Sequence, residues 1–357
     1  MTDHPRARAP GPVRTIKPYA DPAPRAPETS RHGIVLTDEF AWLKDPNWQR
    51  VMRDPGLLDP TIRKHLENEN SYADDVLAAT VPLQEALVAE MRGRIKEEDA
   101  TVPAPDGAFS YFTRYRNGGQ HPSVCREPRG GGVGEVLIDG DALAAGKAFF
   151  RLGATAHSPD HALLAWSADE TGAELFTIRV RDVARMAELP DIVPETAGDI
   201  VWTRDCSAFY YVRVDAQHRP SSVHRHRLGT DVREDIQVYA APDGGRFVSL
   251  SRLQSGRFAA ISVHDHDTSE TWLVDLEDSD AKPMLVAPRE TAIRYEVEHH
   301  PEFGGEPALV ILTNAGDAED FKIVWAPLAA TSRPLWRDVV PHRQGVFILG
   351  FAVLRNW

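Results

Sequence analysis

Three groups of histidines and one cysteine are the residues whose types and spacing could do chemistry. His264 and His266 lie two apart, as do His224 and His226, and Glu298, His299 and His300 are consecutive. A strand would place each two-apart pair on one face. Imidazole and carboxylate are zinc ligands, but a zinc site takes three or four of them. Each histidine pair supplies two, and neither HExxH nor a Cys/His framework accompanies them. All three groups are therefore expected to be solvated polar residues of turns or strands rather than ligands. Glu97-Glu98-Asp99 has the chemistry of an acid/base or ligand site, but its place between two kinds of sequence texture fits a solvated junction. Nothing around Cys206 would lower a thiol pKa, which leaves an inert, half-buried cysteine.

No serine sits in a GxSxG elbow, the strained turn that exposes a hydroxyl nucleophile above an α/β sheet. No GxxxxGK[ST] or strand-linked GxGxxG cradle for phosphate occurs. Gly130–Gly134 reads as a hairpin loop. Trp42, Trp48, Trp166, Trp202 and Trp272 read as core or packing residues. The sequence thus assigns no catalytic, cofactor-binding or metal-binding residue, and calls for no cofactor.

The elements that would position any site fall into three stretches. Residues 1–33 are an extended arm, with Pro5, Pro10, Pro12, Pro18, Pro22, Pro24 and Pro27 removing backbone donors. Residues 34–98 form a helical leader. One helix starts at Asp59-Pro60, an N-cap followed by proline at the first helical position, with Ile62, Leu66, Val76 and Leu77 as its apolar stripe. A second begins near Pro82, and Leu83, Leu87, Met91 and Ile95 fall on one face at i, i+4, i+8 and i+12.

From 99 to 357 the texture is β-rich, and a turn-then-strand unit recurs. Pro105-Asp106-Gly107, Pro159-Asp160-His161, Arg204-Asp205-Cys206, Gln254-Ser255-Gly256 and Gly304-Gly305-Glu306 each precede an apolar run, at steps of 54, 45, 50 and 50 residues. A second position, through Glu174, Val223, Thr271 and Lys322, repeats at 49, 48 and 51. Such a period signals a β-propeller, one four-stranded blade per repeat, so the fold class is mainly β, with about five blades.

The formal charge of −13, from 40 basic and 53 acidic residues, argues against a nucleic-acid partner, which demands a basic face. Two cysteines without a pairing framework fit a reducing, cytoplasmic setting. The first 35 residues hold no apolar run for a secretory signal, and no stretch of about 18 apolar residues spans a bilayer.

Longer runs stand out along the chain: His32-Gly33, Asp38–Asp45 and Glu67–Tyr72 in the leader, and Glu90–Asp99 with Val102-Pro103 at the junction. Gly119–Pro122 and Cys125-Arg126 follow in the first blade, and then Ser158–His161, Val180–Asp182, Arg219-Pro220, Asp265-His266 and Thr268–Glu270. In these runs the chain resembles the oligopeptidase B branch of the prolyl oligopeptidase family of serine peptidases. The resemblance implies a seven-bladed propeller that limits substrates to short peptides, followed by an α/β-hydrolase domain with a Ser-Asp-His triad. It also implies cleavage after Arg or Lys, short basic peptides as substrates, and an arm and leader that help to cover the catalytic domain. Residue 357 falls where such a protein would still be inside its propeller, so no family catalytic residue has a position here. The chain alone is expected to be inactive and poorly soluble or partly disordered. The other readings are a stand-alone propeller that binds peptides or proteins and a metal-dependent hydrolase built on the histidine pairs.

Overall fold

The structure, a computed structural model, describes Pro22, Pro24, Arg25, residues 28–242 and residues 244–354. Most of the expected arm lies outside these residues. The chain divides at Glu97/Glu98 into two compact units.

The first unit opens with a hairpin absent from the sequence reading, β1 (Glu28–Arg31) paired antiparallel with β2 (Ile34–Thr37). His32 and Gly33 make its turn, both at positive φ. Then come α1 (Trp48–Arg53), α2 (Pro60–Leu77) and α3 (Val81–Gly93), with 3-10 turns at Ala41–Leu43, Pro55–Leu57 and Ala78–Thr80. Asp59 caps α2 as expected, its Oδ1 accepting the amides of Thr61 at 2.8 Å and Ile62 at 3.2 Å. The stripe of α2 forms, and Leu83, Leu87 and Met91 lie on α3, which ends before Ile95; only Ile62 is buried, and Leu83, Leu87, Met91 and Ile95 are 46–64% exposed.

The second unit is built from antiparallel strands. The first blade is β3 (Ala104–Asp106), β4 (Phe109–Arg114), β5 (Ser123–Pro128) and β6 (Glu135–Asp139). The short helix α4 (Gly140–Ala144) follows it. The second is β7 (Arg151–His157), β8 (Leu163–Asp169), β9 (Phe176–Asp182) and the start of β10 (Ala187–Trp202). The third is the end of β10 with β11 (Ala208–Val214), β12 (Pro220–Arg227) and β13 (Ile236–Ala240). The fourth is β14 (Phe247–Arg252), β15 (Phe258–His264), β16 (Ser269–Asp275) and β17 (Met284–Leu285), and the fifth is β18 (Tyr295–Phe303), β19 (Glu306–Thr313), β20 (Lys322–Pro327) and β21 (Arg337–Val340).

One departure from separate four-stranded blades stands out. The second and third blades are a single seven-stranded sheet, because β10 pairs with β9 from Ala187 to Thr196 and with β11 from Thr196 to Trp202. The change of partner is made inside the strand, through register shifts on both sides of Thr196 and positive φ at Glu195 (58°) and Gly198 (101°). Bulges of this kind bend a strand and increase its twist without ending it.

The middle strands are apolar on both faces, and their alternation sends successive side chains to opposite seams. On β11, Phe209 and Tyr211 join the core between the second and third blades, while Tyr210 and Val212 join the core between the third and fourth. On β15, Ile261 and Val263 face the third blade, and Phe258 and Ala260 the fifth. Trp166 and Trp202 are seam residues, as expected; Trp48, on α1, is exposed.

The recurrent turns share one backbone feature. Gly107, His161, Cys206 and Gly256 all have positive φ, at 55°, 63°, 60° and 73°. In the second and third blades the turn is also locked by side chains. Ser158 and Thr203 donate their hydroxyls to Asp160 and Asp205, at 2.5 and 2.6 Å. They accept the amides of Leu163 and Ala208, at 2.9 and 3.1 Å. At Gly107 a side chain would collide with the next turn, since a Cβ there would sit 2.3 Å from His161 Nε2.

A left-handed conformation costs a non-glycine residue on the order of 1 kcal/mol. Cys206→Gly is therefore expected to raise the stability of the second unit by up to about 1 kcal/mol, net of glycine's greater freedom in the unfolded chain. Ile261→Ala, at a fully buried seam position, is expected to lower it by about 2–5 kcal/mol. Urea titration of both variants followed by tryptophan fluorescence checks the pair; a destabilised Cys206→Gly would show that the thiol contributes more than the backbone conformation costs.

Candidate functional site

The inner ends of the blades bring together polar groups that are distant in sequence. Asp106, closing β3, accepts hydrogen bonds from His157 Nε2 of β7 at 3.1 Å and Arg252 Nη2 of β14 at 3.2 Å. One carboxylate thus joins the first, second and fourth blades. Burial alone would raise the Asp106 carboxyl, but Arg252 and His157 outweigh it and hold it below the usual range. Burial pushes the His157 imidazole down, against the pull of Asp106. Tyr111 stacks on the His157 ring at 3.9 Å and 3°, and its hydroxyl lies 2.9 Å from His161 Nδ1. Beside the cluster is a cavity of 210 Å³ whose wall includes His157, Trp202, Arg204 and Arg252. These groups suit holding a polar ligand and include no nucleophile. The sequence marked Asp106 and His161 only as turn residues, and nothing in it pairs Arg252 with a residue 146 positions away.

His224 and His226 do share a face of β12, beside Tyr211 and Phe209 respectively, but they do different things. His226 is held between two carboxylates, Nδ1 to Asp235 at 2.7 Å and Nε2 to Asp191 at 3.1 Å, with all three side chains buried. The Tyr211 hydroxyl donates to the other Asp235 oxygen at 2.8 Å, and the Gly229 amide donates to Asp191 at 2.5 Å. With both its nitrogens engaged, His226 is a buried structural histidine and not the solvated residue expected. His224 Nε2 pairs with the Ser222 hydroxyl at 3.1 Å, and burial pushes its imidazole down.

The second pair does not share a strand face, because β15 ends at His264 and His266 lies in the turn whose amides are held by Asp265. Both histidines border a 490 Å³ cavity between the fourth and fifth blades, with Glu296 and Glu298. Burial raises the Glu298 carboxyl, which accepts the Gln254 amide at 2.9 Å. His299 and His300 are buried, against the expectation of solvated residues. Among the described residues no three His, Cys, Asp or Glu side chains form a group that could hold a metal ion.

At the junction Glu97 pairs with Arg92 at 3.0 Å, and Glu98 and Asp99 are exposed. Cys206 is half-buried, and burial raises its thiol pKa, so it is a weaker nucleophile than a free cysteine. Gly130–Gly134 belong to the loop between β5 and β6.

Five consecutive antiparallel blades packed through apolar seams define a β-propeller. The chain belongs to the prolyl oligopeptidase family: the model of that family's N-terminal β-propeller domain matches residues 21–357. Dipeptidyl aminopeptidase BI of Pseudoxanthomonas mexicana is 32% identical over 354 residues, covering 94% of this chain and 46% of that protein. Protease 2 of Moraxella lacunata is 29% identical over 305 residues, covering 83% and 42%. Among solved structures, oligopeptidase B from Leishmania major is similar with a TM-score of 0.82 at 27% identity, over 92% of this chain and 47% of that one. The chain spans about half the length of the curated relatives it matches.

The His226 network gives stability a pH dependence of definite sign. Burial alone would depress the imidazole, but Asp235 and Asp191 outweigh it and raise the pKa above the ordinary value. Its contribution is full below the unfolded pKa of about 6.5 and is lost as pH rises through the higher folded value. His157, His224 and His299 are shifted downward and act on the acid side instead. The urea midpoint is therefore expected to fall as pH rises through the folded His226 pKa, beyond the range in which the three downshifted imidazoles titrate, and His226→Gln is expected to lower the midpoint and flatten that fall. A slope unchanged in His226→Gln would assign the effect to other groups.

Proposed function

We propose that this chain is the propeller part of a serine oligopeptidase that cleaves short peptides after Arg or Lys, with the propeller restricting substrate size. The observation that carries this reading is the family match from residue 21 to 357 by a chain that spans about half the length of its relatives. The similarity to oligopeptidase B structures at 27% and 29% identity favours the basic-residue branch. The domain organisation we adopt is an arm at 1–33, a helical leader at 34–98 and a propeller at 99–357. A Ser-His-Asp site has no counterpart among the candidate residues above, so the 357 residues by themselves are proposed to be inactive.

The partner we assign to the leader is an α/β-hydrolase catalytic domain. Support comes from the exposed Leu83, Leu87 and Met91 of α3 and from Ile95 just past its end, which gain from burial against such a partner. No helix among the described residues is long and apolar enough to cross a membrane. The two free cysteines fit the cytoplasm. The other reading, a stand-alone propeller binding basic peptides, draws on the net charge of −13.

Two measurements test the proposal. The purified chain is expected not to release aminocoumarin from Arg- or Lys-coupled substrates, and turnover sensitive to a serine-directed inhibitor would overturn the claim of inactivity. The reading frame beyond the Trp357 codon is expected to encode further blades and a GxSxG elbow. A frame without them, together with saturable binding of Arg-rich peptides by the chain alone, would favour the scaffold.

A further inference from the structure

The first strands of the second, third and fourth blades are β7, the end of β10, and β14, and they finish at His157, Trp202 and Arg252. All three residues wall the 210 Å³ cavity beside Asp106, and Arg204, two residues past β10, joins them. Arg204 and Arg252 are the charged groups of that wall, and no carboxylate lines it. Burial holds the His157 imidazole low, and its Nε2 is already committed to Asp106, so the ring adds no charge at neutral pH.

The two arginines differ in what they have left to give. Arg252 donates from Nη2 to Asp106 at 3.2 Å, which balances its charge but leaves its other N–H groups without a partner among the described residues. Arg204 is exposed, and only its backbone amide is bonded, to the Leu276 carbonyl at 2.8 Å. Its guanidinium makes no ion pair or hydrogen bond among the described residues. The carboxylates nearest to it in the chain are taken up locally, since Asp205 accepts from the hydroxyls of Thr203 and Ser207, and Asp160 from that of Ser158. The cavity therefore carries one uncompensated positive charge on a planar fork of donors, and its match is an anion.

The rest of the wall narrows the class of anion. Trp202 has given its ring N–H to the Ala156 carbonyl at 2.8 Å, and the side chains of Ile200 and Leu276 have no donor to offer. Phosphate would set oxygens against these groups without a hydrogen bond, which costs free energy. A carboxylate instead gives two oxygens to the guanidinium fork and a hydrocarbon part to the apolar wall.

We propose that this cavity binds a small carboxylate bearing one apolar side chain, with its oxygens on Arg204 and Arg252 and its side chain against Ile200, Trp202 and Leu276. That chemistry is shared by the C-terminal residue of a peptide and by a free aliphatic acid. The inference goes beyond the proposed function and does not rest on it, since the site is made wholly of this chain's residues and needs no catalytic partner.

The test is isothermal titration calorimetry of the full chain. The probes are N-acetyl-L-leucine, standing for a peptide C-terminus, 4-methylpentanoate, standing for a free acid, N-acetyl-L-leucinamide, which lacks the charge, and inorganic phosphate. Saturable binding is expected with at least one of the two carboxylates, the tighter one naming the source, and none with leucinamide. Arg204→Gln is expected to weaken that binding by at least about tenfold, and Arg204→Lys to recover part of the loss through charge alone. Because the Arg204 side chain is exposed and unbonded, both variants are expected to keep the urea midpoint of the parent chain, and the comparison of acid with amide needs neither variant. The proposal is overturned if neither carboxylate binds saturably, if leucinamide binds as tightly, if phosphate binds more tightly than both acids, or if Arg204→Gln leaves the affinity unchanged.

Discussion

The second, third and fourth blades of this propeller are held by apolar contact at both of their faces. Phe209, Tyr210, Tyr211 and Val212 on β11 are all almost completely buried, although their side chains alternate between two opposite seams. A strand in a two-layer sandwich would need only half of those residues to be apolar. Here the whole run is apolar, and the cores follow the order of the chain: first blade on second, second on third, third on fourth, fourth on fifth. The stability of each blade is consequently a property of its neighbours as much as of its own sequence. The polar groups that hold the turns and the buried His226 network fill in around that constraint without replacing it.

That constraint explains what could be read from the sequence. Double-sided burial writes itself as short unbroken apolar runs, and the turns between them carry residues tolerant of left-handed backbone. The spacing counted through Gly107, His161, Cys206 and Gly256 is the spacing of the positive-φ positions themselves. Two of the four are not glycine, so a search for glycine alone would have missed half of them. The hairpin of β1 and β2 escaped because four-residue strands among prolines carry too little pattern. The fusion of the second and third blades escaped because its cause is local: Glu195 and Gly198 bend a strand that periodicity treats as two.

Side-chain partnerships were less legible than strands. His224 and His226 were rightly placed on one strand face, yet nothing in the spacing distinguishes His226, bonded to carboxylates at both ring nitrogens, from its neighbour. The difference comes from Asp191, on β10, and Asp235, before β13, which reach the ring from elements on either side. Asp106 and Arg252 meet for the same reason, as blade order brings the ends of β3 and β14 together. Hydrophobic pattern specifies which strands stack; which polar side chains then meet is a consequence of the stacking, and so is invisible one residue at a time. The sites formed in this way hold and orient polar groups from several blades.

The continuity of β10 has a consequence for how the molecule yields. In the other blades a loop separates the outer strand from the next inner strand, and can absorb local motion. Between the second and third blades there is no such slack: one backbone carries hydrogen bonds to β9 and then to β11. Peeling the outer edge of the second blade would pull directly on the inner edge of the third. The pair should therefore behave as one cooperative foldon, opening together in slow hydrogen exchange while the first, fourth and fifth blades open separately. The bend at Thr196 works as a rigid elbow, setting the angle between two blades that elsewhere is left to side-chain packing.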